Sequence, residues 1–446
     1  MISDMQRSTE PSPPRASDEN ISVQYENLVQ NRSAEGPLGV IAFAVSTIDL
    51  TAGKGDLFVA AGLARALNRQ GWGVAFWPRE RWDEPVGDDV SVVVAMLESF
   101  VPDLVPDHVA CVAWVRNWAK KWADLPYLND FDEIWCSSSA AAAFLDSRYE
   151  GSVRVLPIGV DDELFTKGVD DRPLSVVSTA NDWGVERQIS RSIESLAQHV
   201  DVTWFGTSGH GARRLEGVDR RDSVDYFAVP AIYGQARVVI DDVIDAAKEF
   251  GSQNSRLYEA IAAGAFPITN CLSGLDDLGL DDVPVYRDSD DLAAIVPELL
   301  ADPQFESRLD RLRAVVIDRH TYDRRASEST PWLHAVTERR ASSPRERTSL
   351  ARWLGPERRQ TLDLASELES TSRELIRTSE ALARQTDETG VALAEIETLG
   401  KQSRLLQDSV ESSEQELADI RASRAYKLAR RLSSIVQPVA RRLRRR

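Results

Sequence analysis

The sequence predicts an α/β protein of two consecutive open sheets, followed by a long helix and a basic tail. Three observations support this prediction. Short apolar runs alternate with helix-period segments from residue 38 to about residue 338, a pattern typical of βαβ units and parallel sheets. The alternation restarts after a polar stretch near residue 165. A seven-residue column of mostly apolar positions then spans residues 361–420, as in a coiled coil.

The N-terminal half begins with a polar, Pro- and Ser-rich segment, residues 1–36, which is predicted to be disordered. Residues 37–165 form the first predicted domain. A helix-period run after residue 56 ends at Gly71. The apolar runs of strand length lie at 38–46, 72–78, 91–97, 108–117, 132–138 and 153–160.

The second predicted domain spans residues 166–338 and repeats this organisation. Its helices follow residue 185 and residue 253, and two more reach about residue 338. Its predicted strands are 174–180, 202–206, 237–243, 265–270 and 283–288.

The C-terminal region divides into a charged linker (339–360), the heptad segment (361–420) and a basic amphipathic tail (421–446). The heptad segment predicts one long helix with an imperfect coiled-coil seam, and Gly390 and Gly400 weaken this seam further. A polar helix of this length needs a partner, so we predict a homo-oligomer formed through 361–420. A single solvated helix is the alternative. The seam columns are Leu368, Leu375, Leu382, Thr389, Ile396, Ser403, Val410 and Leu417, with Leu364, Ala392, Leu399, Leu406 and Ile420 beside them.

Charge is unevenly distributed along the 446 residues. The net charge is −18, yet residues 421–446 hold ten Arg or Lys and no acid. An acidic body argues against nucleic-acid binding. The tail mixes basic and apolar residues, which favours an anionic membrane surface; an arm for acidic polysaccharide or RNA is the alternative.

The cellular location is predicted from the apolar runs, the N-terminal segment and the cysteines. No apolar run reaches the ~18–20 residues that span a bilayer, and the N-terminus has no apolar signal region. The three cysteines are widely spaced, which fits a reducing compartment. We therefore expect a cytoplasmic protein that is peripheral on the inner face of the plasma membrane.

The most informative stretch is GSQNSRLYEAIAAGAFPITN, residues 251–270. Gly251 permits a tight turn, and Asn254 or Ser255 can cap the helix that follows. A helix N-terminus attracts phosphate, and Arg256 can add a charge-assisted contact. Glu259 lies about 4–5 Å further along the helix axis, within reach of a ribose. A surface ion pair between Arg256 and Glu259 is the alternative.

This stretch resembles the donor-binding helix of the GT-B glycosyltransferases, the retaining group-1 class and especially its spore-maturation-like branch. That family ends the segment in R-x-x-E-x-x-A-x-G-x-x-x-I, which is matched by Arg256, Glu259, Ala262, Gly264 and Ile268. A second segment, residues 131–165, is similar to the region before the interdomain linker, and TAGKGDLFVAAGLARALNRQGWGV (51–74) is similar to the N-terminal glycine loop and helix. The matches in 131–165 are Asp132, Ser137, Ser138, Pro157, Gly159, Asp161 and Phe165.

The resemblance implies two Rossmann-like domains that face each other across a cleft, with an N-terminal acceptor domain and a C-terminal domain that binds a nucleotide-diphosphate sugar. It implies a ribose contact for Glu259 and no required metal. Many members carry a further glutamate eight residues earlier, near the transferred sugar, but this position is Gly251. The sugar-side acid therefore does not carry over.

Other candidate residues come from loops. Arg187 stands near where the family places a basic residue and could reach the diphosphate; an exposed helix arginine is the alternative. In AGKGD, Gly53 and Gly55 would let the loop lie close to the donor, and Asp56 could contact a sugar hydroxyl, unless this is a polar surface turn. The loop lacks the P-loop and G-x-G-x-x-G spacings.

Three tryptophans, Trp114, Trp118 and Trp122, recur at four-residue spacing around Arg116 and Asn117. Tryptophan faces stack on sugar rings, but packing against the core is the commoner reason for such a stripe. The five histidines show no ligand spacing, so no metal site is predicted.

Together these features predict a glycosyltransferase of the hexosyltransferase class in polysaccharide biosynthesis. It would move a sugar from a nucleotide-diphosphate donor to a cell-surface glycan or lipid-linked acceptor, without a separate cofactor. Retention is implied by the resemblance. The alternatives are an inactive scaffold that gathers glycan enzymes at the membrane and, with less support, a sugar-nucleotide epimerase.

Overall fold

The computed structural model describes residues 16–168, 171–180, 188–206, 215–384 and 389–422. The N-terminal sheet is entirely parallel in the order β2-β1-β3-β4-β5-β6. Parallel pairing places the carboxyl ends of these strands along one edge. The strands are β1 (Val40–Val45), β2 (Gly73–Pro78), β3 (Val90–Ala95), β4 (Ala110–Val115), β5 (Glu133–Cys136) and β6 (Ser152–Val155).

The second sheet is also parallel, in the order β11-β10-β7-β8-β9. Its central strands are buried and rich in β-branched residues, as expected where helices cover both faces. The strands are β7 (Leu174–Ser178), β8 (Val202–Phe205), β9 (Val218–Arg221), β10 (Ala236–Asp241) and β11 (Phe266–Thr269). The two-domain α/β architecture predicted from the sequence is confirmed.

Helices connect the strands and extend the chain at both ends. Those of the first half are α1 (Ala16–Val29), α2 (Gly55–Arg69), α3 (Ala119–Ala123) and α4 (Ser139–Asp146). Those of the second half are α5 (Gln188–Ala197), α6 (Val229–Gly234), α7 (Asp245–Lys248), α8 (Ser255–Ala263), α9 (Leu275–Leu278), α10 (Ser289–Ala301) and α11 (Phe305–Arg319). The last three are α12 (Tyr322–Ser342), α13 (Ser349–Arg384) and α14 (Thr389–Ala422).

The N-terminal segment differs from its prediction. Residues 1–36 were expected to be disordered, but α1 packs against α2 and buries Ile21, Tyr25 and Leu28. The Tyr25 hydroxyl donates to Asp161 Oδ2 at 3.0 Å. A short apolar stripe and one buried hydrogen bond thus order a segment whose composition is polar. Residues 1–15 lie outside the described part.

The boundary at residue 338 is also corrected. After α11, the chain returns to the N-terminal domain through a parallel bridge between Val160 and Thr321, and α12 packs on α2. Tyr322 fits against Gly62, where an added Cβ would lie 2.3 Å from the ring. The helix that ends the chain's second half therefore completes the first domain.

Residues 339–360 were predicted to be a linker, but they are docked. Arg347 is buried, and its guanidinium donates to the carbonyls of Asp130 (2.5 Å) and Val109 (2.8 Å). The Asp130 carboxylate accepts from Thr348 N (3.1 Å) and Oγ1 (2.6 Å). Ala351 and Leu354 enter the core of the N-terminal domain. A charged segment need not be a free linker, because its side chains can be buried when they donate hydrogen bonds to buried backbone carbonyls.

The heptad segment is two helices, α13 and α14, which pack against each other. The single long helix predicted over 361–420 is therefore wrong. In α14 the less exposed positions include Leu399, Ser403, Leu406, Val410 and Leu417, which are seam positions of the sequence. The periodicity identified the less exposed face of α14, and one residue of this face, Leu417, packs against the core of the N-terminal domain of the same chain. Oligomer formation stays a prediction.

Two smaller differences concern edges. The predicted strand 283–288 forms only a single bridge, between Thr269 and Val285. The edge strand β9 was missed because its residues, VDRR, are mostly polar.

The predicted basic tail lies almost wholly outside the described residues, which end at Ala422. Among the described residues, no helix is long and apolar enough to cross a membrane.

Candidate active site

The candidate site is built around α8, which spans Ser255–Ala263 and is followed by the C-cap residue Gly264. Gly264 has φ of 88°, a left-handed C-cap that glycine adopts without a Cβ penalty. The apolar face of α8 is buried, and the chain enters β11 directly. The N-terminus of α8 thereby meets the carboxyl edge of β7 and β10, where ligands bind in open α/β sheets.

Arg256 is held at this edge by three acceptors. Its Nη1 contacts Asp241 Oδ1 at 3.0 Å, Nη2 donates to the Thr179 carbonyl at 3.0 Å, and Nε donates to Thr179 Oγ1 at 3.2 Å. Burial lowers the pKa of Arg256, but Tyr233, Asp241 and Glu259 outweigh it and raise the pKa. The guanidinium is therefore a fixed positive charge.

Glu259 is 6% exposed and lies one turn from Arg256. Burial raises its pKa to about 7, against the opposing effects of Arg256, Tyr226 and Ser255. The Tyr226 hydroxyl donates to Glu259 Oε1 at 3.2 Å. A surface ion pair is excluded because both side chains face this buried edge. The carboxyl group can accept hydrogen bonds from hydroxyls, as predicted for a ribose contact.

The predicted caps behave differently from each other. Asn254 occupies the N-cap position of α8, but its side chain does not cap the helix. Its amide donates instead to Asp241 Oδ1 at 2.8 Å and to the Asp242 carbonyl at 3.3 Å. Ser255 is a hydrogen-bond partner of Glu259. The N-terminus of α8 thus has no side-chain cap, which suits an anion-binding role.

Gly251 has a backbone reason to be glycine. Its φ is 67°, and an added Cβ would lie 2.8 Å from the Ser273 carbonyl oxygen. Gly274, with φ of 84°, packs against it from the facing loop. The position where the family places its first glutamate is therefore part of a tight junction between two loops.

The loop of Gly53, Gly55 and Asp56 is shaped largely by internal contacts. Asp56 accepts from Ser46 N at 2.7 Å and from Ser46 Oγ at 2.8 Å, so its carboxylate closes the β1–α2 turn. Gly53 has φ of 61°, whereas an added Cβ on Gly55 would meet no atom within 4 Å. A sugar contact by Asp56 stays a prediction.

The two domains touch beside this site. Ser137 Oγ, after β5, forms a hydrogen bond with Ser252 Oγ at 2.9 Å, and Ser138 Oγ donates to the Phe250 carbonyl at 2.6 Å. Lys120 forms an ion pair with Glu249 nearby. The resemblance named both serines, and the structure shows that they join the domains.

The tryptophan stripe separates into two kinds of residue. Trp114 and Trp122 are buried in the core, whereas Trp118 is 37% exposed. Trp118 has φ of 56° and ψ of 34°, a left-handed conformation that costs a bulky residue roughly 1–3 kcal/mol. Beside it, Arg116 is partly buried, and burial lowers the pKa of its guanidinium.

Other members of the site were not identified from the sequence. Thr179, Tyr226 and Asp241 all contact Arg256 or Glu259. Asp241 ends an apolar strand and Thr179 follows one, a signal that could have found them; Tyr226 lies in a short 3-10 helix, Tyr226–Ala228, outside every predicted element and gave none. Arg187 lies outside the described residues.

The comparisons with known proteins give the class of this two-domain α/β protein. Residues 187–329 match the family model described as glycosyl transferase-like. The structure is similar to Anabaena HepE in complex with UDP and glucose, with a TM-score of 0.52, 13% identity and coverage of 67% of this chain and 100% of that chain.

It is also similar to AviGT4, a glycosyltransferase involved in avilamycin A biosynthesis, with a TM-score of 0.48, 13% identity and coverage of 67% and 98%. No curated protein matches the sequence. The GT-B fold predicted from the sequence is confirmed, and so is the predicted enzyme class, a glycosyltransferase.

Proposed function

We propose that the protein transfers a sugar from a nucleotide-diphosphate donor held at the N-terminus of α8. The buried carboxyl of Glu259 beside the fixed Arg256 guanidinium carries this proposal. The diphosphate would lie on the uncapped helix end, where N–H groups and the helix dipole favour anions. The ribose hydroxyls would bond to Glu259.

Leaving-group stabilisation would come from charge rather than from a covalent nucleophile. Arg256 is held by Asp241 and Thr179 in one orientation, so little reorganisation is needed when negative charge develops on the departing diphosphate. Arg187 would be a second cation. Retention at the anomeric carbon, independence of metal ions and hexose transfer into a surface polysaccharide are further parts of the proposal.

The test is a thermal-shift and calorimetric screen with UDP, GDP, dTDP, CMP and their common sugars. UDP is tried first because the HepE structure contains UDP and glucose. We expect one nucleotide to raise the Tm of the wild type, and Glu259→Ala and Arg256→Ala to abolish this shift. Arg287→Ala is the matched control, since Arg287 forms an exposed ion pair with Asp291.

The result that would overturn the proposal is the absence of any shift in the wild type, or an equal shift in all variants. The scaffold alternative predicts the first of these outcomes. Interconversion of the donor sugar with no acceptor present would favour the epimerase.

We further propose that residues 421–446 bind an anionic membrane surface, since ten basic residues lie beside apolar ones. Each basic residue near the surface contributes about 1 kcal/mol. Removing residues 422–446 should release the protein from vesicles that contain phosphatidylserine. Unchanged partitioning would contradict membrane attachment through the tail.

A further inference from the structure

We propose that Trp118, at the carboxyl end of β4, is a stacking platform for a sugar ring of the acceptor. This inference rests on the proposed glycosyl transfer and names a subsite and a ligand class, a saccharide, for its second substrate. Four observations support it: the exposure of the indole, its backbone conformation, the cation on its face and its place where the N-terminal domain meets the loop before α8.

Of the three tryptophans at four-residue spacing, Trp118 alone is exposed. Trp114 donates from its indole nitrogen to the Leu156 carbonyl at 3.0 Å and is fully buried. Trp122 packs edge-on against Phe131. Trp118 has comparable hydrophobic area but leaves over a third of it in solvent, which packing does not explain.

The backbone at Trp118 is strained in a way that turns this side chain outward. In the part of the chain that the structure describes, it shares a positive φ with one other non-glycine residue, Asn31. Asparagine tolerates this conformation, whereas a bulky side chain is unusual there. Strain of this kind is concentrated at ligand sites, where the surrounding structure maintains it.

Lys121 fixes the orientation of the ring. Its Nζ lies 3.7 Å from the centroid of the Trp118 ring and 3.5 Å from Glu98 Oε1. This cation covers one face and holds the indole in place. A preorganised aromatic surface binds a ligand with less loss of conformational entropy.

A short chain of hydrogen bonds connects the segment that carries Trp118 to the loop before α8. The carbonyl of Arg116 accepts from Ser137 Oγ at 2.9 Å, and Ser137 Oγ bonds to Ser252 Oγ. Ser252 is two residues from Asn254, the N-cap of α8. Trp118 thus belongs to the acceptor domain at the point where that domain meets the donor loop.

Arg116 lies two residues before Trp118 and anchors this segment. Its Nη2 donates to the Met96 carbonyl at 3.0 Å, and its Nε is buried with no hydrogen-bond partner among the described residues. The bond to Met96 ties the segment after β4 to the residue that follows β3, which supports a fixed position for Trp118.

The experiment measures saccharide binding in the full chain, without turnover. Saturation-transfer NMR and calorimetry use free oligosaccharides of hexose, N-acetylhexosamine and uronate units. Trp118→Asn tolerates the left-handed backbone but removes the aromatic face, and should weaken binding at least tenfold. Trp118→Tyr should retain most of it. Trp353→Asn is the control, since Trp353 is 48% exposed on α13.

UDP binding and Tm are measured in the same variants. Unchanged UDP affinity and Tm in Trp118→Asn, with saccharide binding lost, support the subsite. Equal saccharide affinity in Trp118→Asn and wild type, or no binding of any saccharide to the wild type, would overturn it. If no nucleotide binds the wild type, the donor proposal fails, while the Trp118 comparison still decides the subsite.

Discussion

Tyr226 of the C-terminal domain stacks on Phe58 of the N-terminal domain, with ring centroids 3.8 Å apart and planes 17° from parallel. The same tyrosine donates its hydroxyl hydrogen to Glu259. One side chain therefore joins helix α2 of the N-terminal domain to the carboxyl group proposed to bind the donor ribose. A change in domain spacing would alter the hydrogen bond at Glu259.

Tyr226→Phe tests this link. The Tyr226 hydrogen bond lowers the pKa of Glu259, so its loss should raise that pKa above about 7 and leave the stack intact. Donor affinity, which we expect to increase as Glu259 ionises, should then reach its plateau at higher pH. Calorimetric titrations from pH 5.5 to 9 check this, and identical pH profiles would count against a positioning role.

Glu259→Gln should change how stability depends on pH. Because the pKa of Glu259 is raised in the folded protein from 4.5 to about 7, its contribution is fully present below pH 4.5 and lost as pH rises through 7. The shift corresponds to about 3 kcal/mol at most.

The variant should therefore have a higher Tm than the wild type at pH 8, and this difference should shrink at pH 5. A Tm difference of the same size at both pH values would show that Glu259 does not titrate in this range. Burial lowers the pKa of His320 to about 4, which changes stability with pH in the opposite direction. This effect is the same in the wild type and the variant, so it cancels when their Tm values are compared.

Gly251→Glu, which restores the family's first glutamate, should not create a sugar-side acid. The positive φ and the approach of the Ser273 carbonyl should destabilise the fold by roughly 1–3 kcal/mol. Urea denaturation measures this loss. Gly55→Ala is the control, because Cβ has open space there. A stable Gly251→Glu protein with increased transfer would contradict this account.

The contact between α13 and α14 can be tested with neighbouring leucines. Leu406 faces the seam, whereas Leu405 is 69% exposed. Leu406→Ala should reduce the helical circular dichroism signal and Leu405→Ala should not. Equal effects would show that the seam is not the contacting face.

Self-association requires a separate measurement. Deleting 361–420 keeps Ala351 and Leu354 in the core of the N-terminal domain but removes Leu362 and Leu417, which pack against that core. If the predicted oligomer forms through α13 and α14, sedimentation should show that the deletion reduces the oligomer to a monomer. An unchanged molecular mass would contradict self-association through this segment.

The sequence predicted the fold where patterns are local. Nearly every apolar run became a strand, because buried parallel strands are continuously apolar. Arg256 and Glu259 were found because helix spacing places them one turn apart. Tyr226 was not found, because its contacts with Phe58 and Glu259 depend on how the domains meet, and the packing of Tyr25 on Asp161 joins residues distant in the chain.

The errors have the same physical origin. A heptad pattern specifies a contacting face but not whether its partner is another chain or a later segment of the same one. The linker prediction failed because Arg347 satisfies carbonyls over two hundred residues away in sequence. Composition does not reveal such pairings.

The return of α12 to the first domain has a consequence for synthesis. Tyr322 and the residues up to Arg347 complete a core whose strands end at residue 155. The nascent N-terminal domain must therefore wait, partly uncovered, while the whole C-terminal domain is translated. At ~5–20 residues per second, this interval lasts on the order of ten seconds or more, and chaperones would have access to the exposed face of β3 and β4 during it.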